Sequence, residues 1–316
     1  MSLYSSIAPN GPNGLGYGST AEEVTAAVPL AGRTILITGC NSGLGYEAMR
    51  VLALRGAHVL GAARTLAKAQ AACAAVSGNT TAIACELSDP ASVRACITAI
   101  KSAGTRLHAL IGNAGIMALP RLQQAHGYEL QFFTNHIGHF MLVTGLLEAL
   151  ADDARVVMLS SAAHTMAPKG GIEFDNLSGE RGYRPWTAYG QSKFANLLFA
   201  KELARRFGSA ANSGGAGGAA RTANAVHPGV INTRLGRNLG MAVGRLAFGI
   251  GGALFFKSIA QGAATECYVA VNPQAAGISG AYFADCDVRQ PRADANDPAL
   301  ARRLWDVSEQ IVAGLH

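Results

Sequence analysis

Residues 33–45 read RTILITGCNSGLG, an apolar run that passes without a break into a glycine-rich turn and then into a helical pattern. No other stretch limits the fold as strongly. The aliphatic residues predict a buried strand, and Gly39, Gly43 and Gly45 predict a tight turn that another backbone or a ligand can approach closely. A helix starting at residue 44 would aim its free N–H groups at whatever lies over the turn, which suits a pyrophosphate. The candidates for that contact are Gly39, Asn41, Ser42, Gly43, Leu44 and Gly45. Taken alone, the loop also reads as a glycine turn that binds nothing.

The same alternation runs along the chain. Apolar β-type runs at 33–38, 58–63, 81–87, 107–112, 155–159, 222–226 and 280–283 alternate with helical patterns near 44–55, 66–76, 90–103, 126–150, 188–207, 258–271 and 297–313. Continuous apolar strands separated by helices call for a parallel sheet covered on both faces. The expected fold is α/β, a single doubly wound (Rossmann) domain with a seven-stranded parallel sheet flanked by helices, over 31–316, behind a loose N-terminal arm, 1–30. Within the arm, Thr20 stands as the cap of a short helix that begins AEEV. GSAANSGGAGGAA (208–220) has the composition of a linker and reads as a flexible surface insertion. MAVGRLAFGIGGALFF (241–256) is too short for a membrane span and contains Arg245. It reads as part of a substrate lid over 234–256 or as a core-facing helix, with peripheral membrane contact the less favoured alternative.

Composition closes off other classes. At 49% hydrophobic and 15% charged residues the chain is globular rather than disordered. Its net charge of +6 is scattered, with no basic run of the kind that binds nucleic acid. The six cysteines show neither CxxC pairs nor zinc-ligand spacing, so buried free thiols in a reducing compartment are expected. The N-terminus shows no basic region followed by an apolar one. A cytoplasmic location is the expectation, with organelle import left open. His136, His139 and His164 lack a carboxylate or thiol to complete a ligand set, so they read as structural or pocket-wall residues and no metal is expected. There is no GxSxG elbow to suggest a hydrolase.

Two further features concern chemistry. In AYGQSKFANLL (188–198), Tyr189 and Lys193 lie one turn apart on one face of an amphipathic helix, where their heads can share a ligand. The pairing is common by chance and needs support. The second strand ends in Ala62-Ala63-Arg64, where a dinucleotide unit that prefers NAD carries an acid. A guanidinium there suits a 2′-phosphate, so NADP(H) is expected over NAD; a strand end capped in solvent is the alternative.

TGCNSGLG (38–45), NAG (113–115), SS (160–161), YGQSK (189–193) and HPG (227–229) follow one another in that order. On this ordered set the chain resembles the short-chain dehydrogenase/reductase family over about residues 31–285. It is most similar to the retinol dehydrogenase and WW-domain oxidoreductase branch, through GYELQFFTNHIGHF (127–140), SSAAH (160–164) and VHPGVINT (226–233). The resemblance implies that Tyr189 is the general acid/base, that Lys193 holds the nicotinamide ribose, and that Ser161 orients a substrate carbonyl. It implies that Asn135 holds a water beside the lysine. The neighbouring ammonium is expected to draw the phenol pKa toward working pH. For the cofactor it implies Asn113, Ala114 and Gly115 near the adenine ribose, and Pro228, Gly229, Val230 and Thr233 over the nicotinamide. Glu86, with Leu87 beside it, stands where an aspartate is usual near the adenine. Gly112 departs from the family, which usually has an asparagine there.

The function so implied is an NADP(H)-dependent interconversion of a lipophilic carbonyl compound and its alcohol. A cofactor-binding regulatory protein with little turnover is the alternative. Met166, Pro168, Phe174, Tyr183, Pro185 and Trp186, between Ser161 and Tyr189, either roof an apolar substrate pocket or pack on one another. Homo-oligomerisation is left open.

Overall fold

The computed structural model describes residues 8–211, 220–231 and 256–315. Within them the sheet has eight strands: β1 (Thr34–Thr38), β2 (His58–Ala63), β3 (Thr80–Ala84), β4 (Leu107–Gly112), β5 (Leu150–Leu159), β6 (Thr222–His227), β7 (Tyr282–Ala284) and β8 (Asp287–Arg289). Their spatial order is β8-β7-β6-β5-β4-β1-β2-β3. Seven strands are parallel and β8 alone runs antiparallel, against β7. The order reverses between β1 and β4, and a doubly wound sheet opens its binding crevice at the carboxyl ends on either side of that point.

Alternation along each strand builds two cores. Leu36, Leu60, Leu110, Val156 and Met158 face one side, where they meet α4 (Pro90–Ser102), the helical segment 130–145, α6 (Pro185–Ala211) and α8 (Pro298–Ala313). Ile35, Ile37, Val59, Ile111 and Val157 face the other, against α2 (Gly43–Leu54), α3 (Leu66–Ala74) and α7 (Ala264–Val271). Both faces are buried, so the strands are apolar throughout. Phe140, Phe199 and Trp305 close the first core with ring centroids 5.0–5.6 Å apart.

Four departures from the sequence-based outline have local causes. The eighth strand follows a two-residue turn, Asp285–Cys286, both at positive φ (55° and 60°). That hairpin turn carries no glycine to announce it. The pattern at 126–150 resolves into a small hairpin (Gln124–Ala125 with Tyr128–Glu129), a π-turn at Phe133–Ile137, and α5 (Gly138–Gly145). β5 begins at Leu150, five residues before the apolar run, and the helix expected over 258–271 breaks into Ile259–Gly262 and α7. In the N-terminal arm, Thr20 and Glu23 form a reciprocal capping box on Ala21–Thr25. The arm is also fastened upstream, where Asn13 Nδ2 donates to Cys286 O (2.7 Å) and Tyr268 Oη (3.2 Å). Residues 212–219 of the insertion, 234–255 of the lid, and Thr233 before it, lie outside the described residues.

Candidate active site

At the head of β1 the chain turns at Gly39 (φ 74°), and a side chain at Gly45 would reach within 2.5 Å of the Gly39 carbonyl. The loop therefore folds only with glycine at that contact. Ser42 is the N-cap of α2, but its side chain makes no capping bond, and the first turn holds no acidic residue. The leading N–H groups of α2 are thus left for a ligand, and nothing lies within 4 Å of the Cβ position at Gly43. Asn41 and Ser42 are exposed and Leu44 half-buried over the same turn. This cradle fits a dinucleotide pyrophosphate. At the end of β2, Arg64 is exposed and bonds to no other described side chain.

The loop is tied to β4 from below. Asn113 Nδ2 donates to Thr38 O (2.7 Å), and Ala114 N–H donates to Thr38 Oγ1 (2.9 Å). Asn113 therefore spends an amide proton on the frame of the cleft. Gly112 has a physical reason: a Cβ there would lie 2.8 Å from Met158 Cε and 3.2 Å from His139 Cδ2. The space that a side chain at 112 would need is filled by these two side chains. His139 Nδ1 donates to Asn135 O (2.9 Å), since a carbonyl only accepts, so its Nε2 accepts from the Thr38 hydroxyl (2.9 Å). Burial holds this imidazole neutral, its pKa down to about 4. Gly112→Asn, which restores the usual residue, is expected to destabilise the protein by about 1–3 kcal/mol through overpacking. An unchanged urea midpoint would contradict this account.

Opposite lie the residues of α6 and the end of β5. Ser160 Oγ donates to Lys193 O (2.8 Å), so this buried hydroxyl is spent on the helix. Ser161 is partly exposed, accepts from Ala163 N–H (3.1 Å) and lies close enough to the Tyr189 phenol to favour its ionised form. Gly190 brings the two together: a Cβ there would sit 2.6 Å from Ala163 O and 2.8 Å from Ala167 N, so only glycine lets the turn behind Ser161 lie on α6. Lys193 is buried and donates to Leu159 O (3.0 Å), which leaves two of its three N–H donors without a protein partner among the described residues. Its Nζ lies 5.8 Å from the Tyr189 ring centroid. Asn135 sits in the π-turn, where Oδ1 accepts from Ile116 N–H (2.8 Å) and Nδ2 donates to Ile116 O (2.9 Å) and Ser192 Oγ (2.9 Å). Its amide joins the loop after β4, including Gly115, to the catalytic helix.

The electrostatics correct one expectation. Burial pushes the Tyr189 phenol up to about 12, and the Ser161 hydroxyl beside it is the opposing pull. Burial pushes the Lys193 ammonium down to about 8. Desolvation outweighs the expected help from the ammonium, so the phenol holds its proton at neutral pH. Glu266, unremarked in the sequence, is buried on α7 with neither carboxyl oxygen partnered. Burial raises it to about 8 against the pull of Lys193.

The remaining candidates divide. Gly229 (φ 91°) would put a Cβ 2.6 Å from Lys257 Cδ, which requires glycine in the loop after β6; Pro228 is half-buried and Val230 exposed beside it. His227 Nδ1 accepts from Ala162 N–H (3.2 Å) and Gly229 N–H (3.4 Å), so this loop also steadies the Ser161 turn. Glu86 Oε1 accepts from Ser88 N–H (3.2 Å) and Ser88 Oγ (2.9 Å), which turns the carboxylate into its own loop. Leu87 is buried in the first core. Of the apolar side chains before Tyr189, Phe174 lies 4.1 Å beneath the Arg303 guanidinium and Tyr183 donates to Leu119 O (2.6 Å). Met166 and Trp186 stay exposed, the latter with its ring edge-on 6.1 Å from Tyr189. No cluster of metal-ligating side chains occurs among the described residues.

The open helix N-terminus at the switch-point crevice faces a buried tyrosine–lysine pair with a serine beside the phenol, an arrangement suited to an oxidoreductase that works on CH–OH or C=O groups with a dinucleotide. A family model for short chain dehydrogenases matches residues 33–243, and the chain belongs to that family, close to its retinol dehydrogenase branch. It is 41% identical to the chloroplastic short-chain dehydrogenase TIC 32 B of Brassica napus over 96% of each chain. It is 39% identical to retinol dehydrogenase 12 of Mus musculus over 91% of this chain and 89% of that one. A crystal structure of an uncharacterized protein from Mycobacterium paratuberculosis superposes with a TM-score of 0.73 at 34% identity, covering 92% and 97% of the two chains.

Proposed function

We propose that the protein is an NADP(H)-dependent oxidoreductase that interconverts a lipophilic carbonyl compound and its alcohol, with Tyr189 as acid/base. The observation that carries this is the buried Tyr189 phenol, protonated at neutral pH, with the Ser161 hydroxyl beside it and the buried Lys193 ammonium 5.8 Å from its ring. A bound nicotinamide supplies or takes the hydride. Ser161 Oγ and Tyr189 Oη hold the substrate oxygen between two donors, and the phenol passes its proton to the oxygen as it gains negative charge. The two unspent donors of Lys193 hold ribose hydroxyls, and a water at the second lone pair of the Asn135 carbonyl resupplies the proton. Glycine-loop backbone groups with Asn113, Ala114 and Gly115 receive the dinucleotide on one side; Pro228, Gly229, Val230 and Thr233 receive it on the other. Met166 and Trp186 supply the apolar rim that supports a lipophilic substrate. A reducing compartment, cytosol or organelle, suits six buried unbridged cysteines. Among the described residues no helix is long and apolar enough to cross a membrane.

Following NADPH absorbance across a series of aliphatic and aryl aldehydes and ketones tests the reading. Turnover that rises with chain length supports it, and no turnover of any member rejects it. Cofactor choice rests on Arg64. Arg64→Leu is expected to weaken NADPH binding by about 1.5–3 kcal/mol, the range for hydrogen bonds to charged groups, and to leave NADH unchanged. Equal affinity of the wild type for both cofactors would remove the basis for NADP(H).

A further inference from the structure

The turn that carries Ser161 is held from a distant part of the chain. Residues 162–166 form a 3₁₀ turn packed on Gly190, and their far end continues through Ala167 and Pro168. Beyond β8, the chain returns to this turn at Arg292. The Arg292 guanidinium donates from Nη1 to Ala167 O (2.8 Å) and from Nη2 to Pro168 O (2.8 Å). It is oriented by Asp294, which accepts from Nε (2.7 Å) and Nη2 (2.5 Å). Its planar face lies 4.7 Å from the ring centroid of Phe194, the neighbour of Lys193 on α6. Four guanidinium donors are thereby placed in one plane, a geometry that an ammonium does not reproduce.

The backbone of the same residue makes a second connection. Arg292 N–H donates to His164 Nε2 (3.2 Å), and His164 Nδ1 donates to Ser161 O (2.7 Å). The ring lies edge-on to Tyr282 of β7, 5.1 Å away. The tautomer follows from the partners, because Ser161 offers a carbonyl and Arg292 an N–H. Both ends of the 161–168 turn are thus bound to one residue that lies outside the family-model match at 33–243.

We propose that Arg292 is a positioning residue for catalysis, which acts through His164 and the carbonyls of Ala167 and Pro168 to hold Ser161 Oγ against the Tyr189 phenol. This rests on the catalytic role given to Ser161 above. The antiparallel strand β8 is the device that returns the chain to the site, so the otherwise parallel sheet ends in a hairpin for a functional reason. Loss of the guanidinium leaves Ala167 O unpaired, takes one of two donors from Pro168 O, which keeps Gly171 N–H (2.9 Å), and frees the turn to shift; misplacement of a reacting group by about 1 Å costs on the order of 100-fold in rate.

The test is a double-mutant cycle between Arg292→Ala and Ser161→Ala, read as kcat and KM for an aldehyde substrate, with NADPH affinity measured by fluorescence. Arg292→Ala is expected to lower kcat roughly 10- to 100-fold with NADPH affinity unchanged, and millimolar guanidinium ion is expected to restore part of the loss. In the Ser161→Ala background the same change should cost under about 3-fold, since residues that act as a unit are not additive. An equal factor in both backgrounds, or full activity of Arg292→Ala, overturns the proposal. Should Arg292→Ala not fold, Arg292→Lys, which keeps the stem on Phe194, replaces it in the cycle. If the wild type reduces no carbonyl compound, the functional reading falls by itself. A crystal structure of the Arg292 variant then decides the positioning claim, which fails if residues 161–168 stay in place.

Discussion

Tyr189→Phe is expected to abolish carbonyl reduction, with a loss of about 100- to 10,000-fold, while NADPH binds as before. The phenol oxygen is the only heavy atom removed, and in the protein it lies beside Ser161 in a buried setting that disfavours its ionisation. Phenylalanine retains the ring against Trp186, so the melting temperature should hold or rise slightly. Lys193→Ala should behave differently and harm both rate and cofactor affinity, because two of its donors have no partner among the described residues and its Nζ lies beside Gly115. Its other bond, to Leu159 O, is backed by Asn196 Nδ2 at 3.1 Å, so the strand end stays satisfied. The raised phenol pKa gives the pair a pH signature. At neutral pH the acid form needed for reduction is already present, whereas oxidation needs the phenolate and should rise about tenfold per pH unit. Steady-state rates in both directions from pH 6 to 9 check this. Retained reduction in Tyr189→Phe with every substrate that the wild type uses would end the mechanism.

Acid is expected to unfold the protein steeply. His136, His139 and His227 are held neutral by burial, with pKa values lowered from 6.5 to about 3, about 4 and about 4. In the unfolded chain each takes up a proton near pH 6.5 that the native state refuses. Their stabilising contribution is complete above pH 6.5 and is lost as pH falls toward 4. Glu266 acts in the opposite sense. Its pKa is raised from 4.5 to about 8, so its contribution is complete below 4.5 and lost as pH rises through 8. Between pH 6.5 and 4.5 these three histidines oppose this one carboxyl, a net of two protons from the four, or about 2.7 kcal/mol of stability lost per pH unit of acidification; the lowered His108 and His164 add in the same sense and the raised Glu129 in the opposite one. Urea unfolding at pH 7.0, 6.0 and 5.0 measures this, and a slope below that of one proton would refute the assignment. His136→Gln, which can still bond Ser308, should remove about one proton from the slope.

Much of the frame is legible in local pattern. The glycine loop, the alternation of strands and helices, the i,i+4 spacing of Tyr189 and Lys193 and the Thr20 cap depend on neighbours within one or two turns, and the sequence displays them directly. Strand β8 escaped notice because its turn is Asp–Cys, whose positive φ values have no compositional mark. The π-turn at Asn135 lies inside an apolar run whose period looks like an ordinary helix.

By itself the sequence determined the doubly wound class and the place of the glycine loop. It did so because these rest on backbone geometry and spacing, which a chain carries with it wherever it folds. Only the tertiary structure decided that Ser160 is spent on Lys193 O, that Gly112 is matched by Met158 and His139, and that Arg292 reaches back across the fold to the Ser161 turn. It also reversed the expected shift of Tyr189. The pKa of a buried group depends on how densely remote segments exclude water around it, and that density has no signature in the residues adjacent to it along the chain.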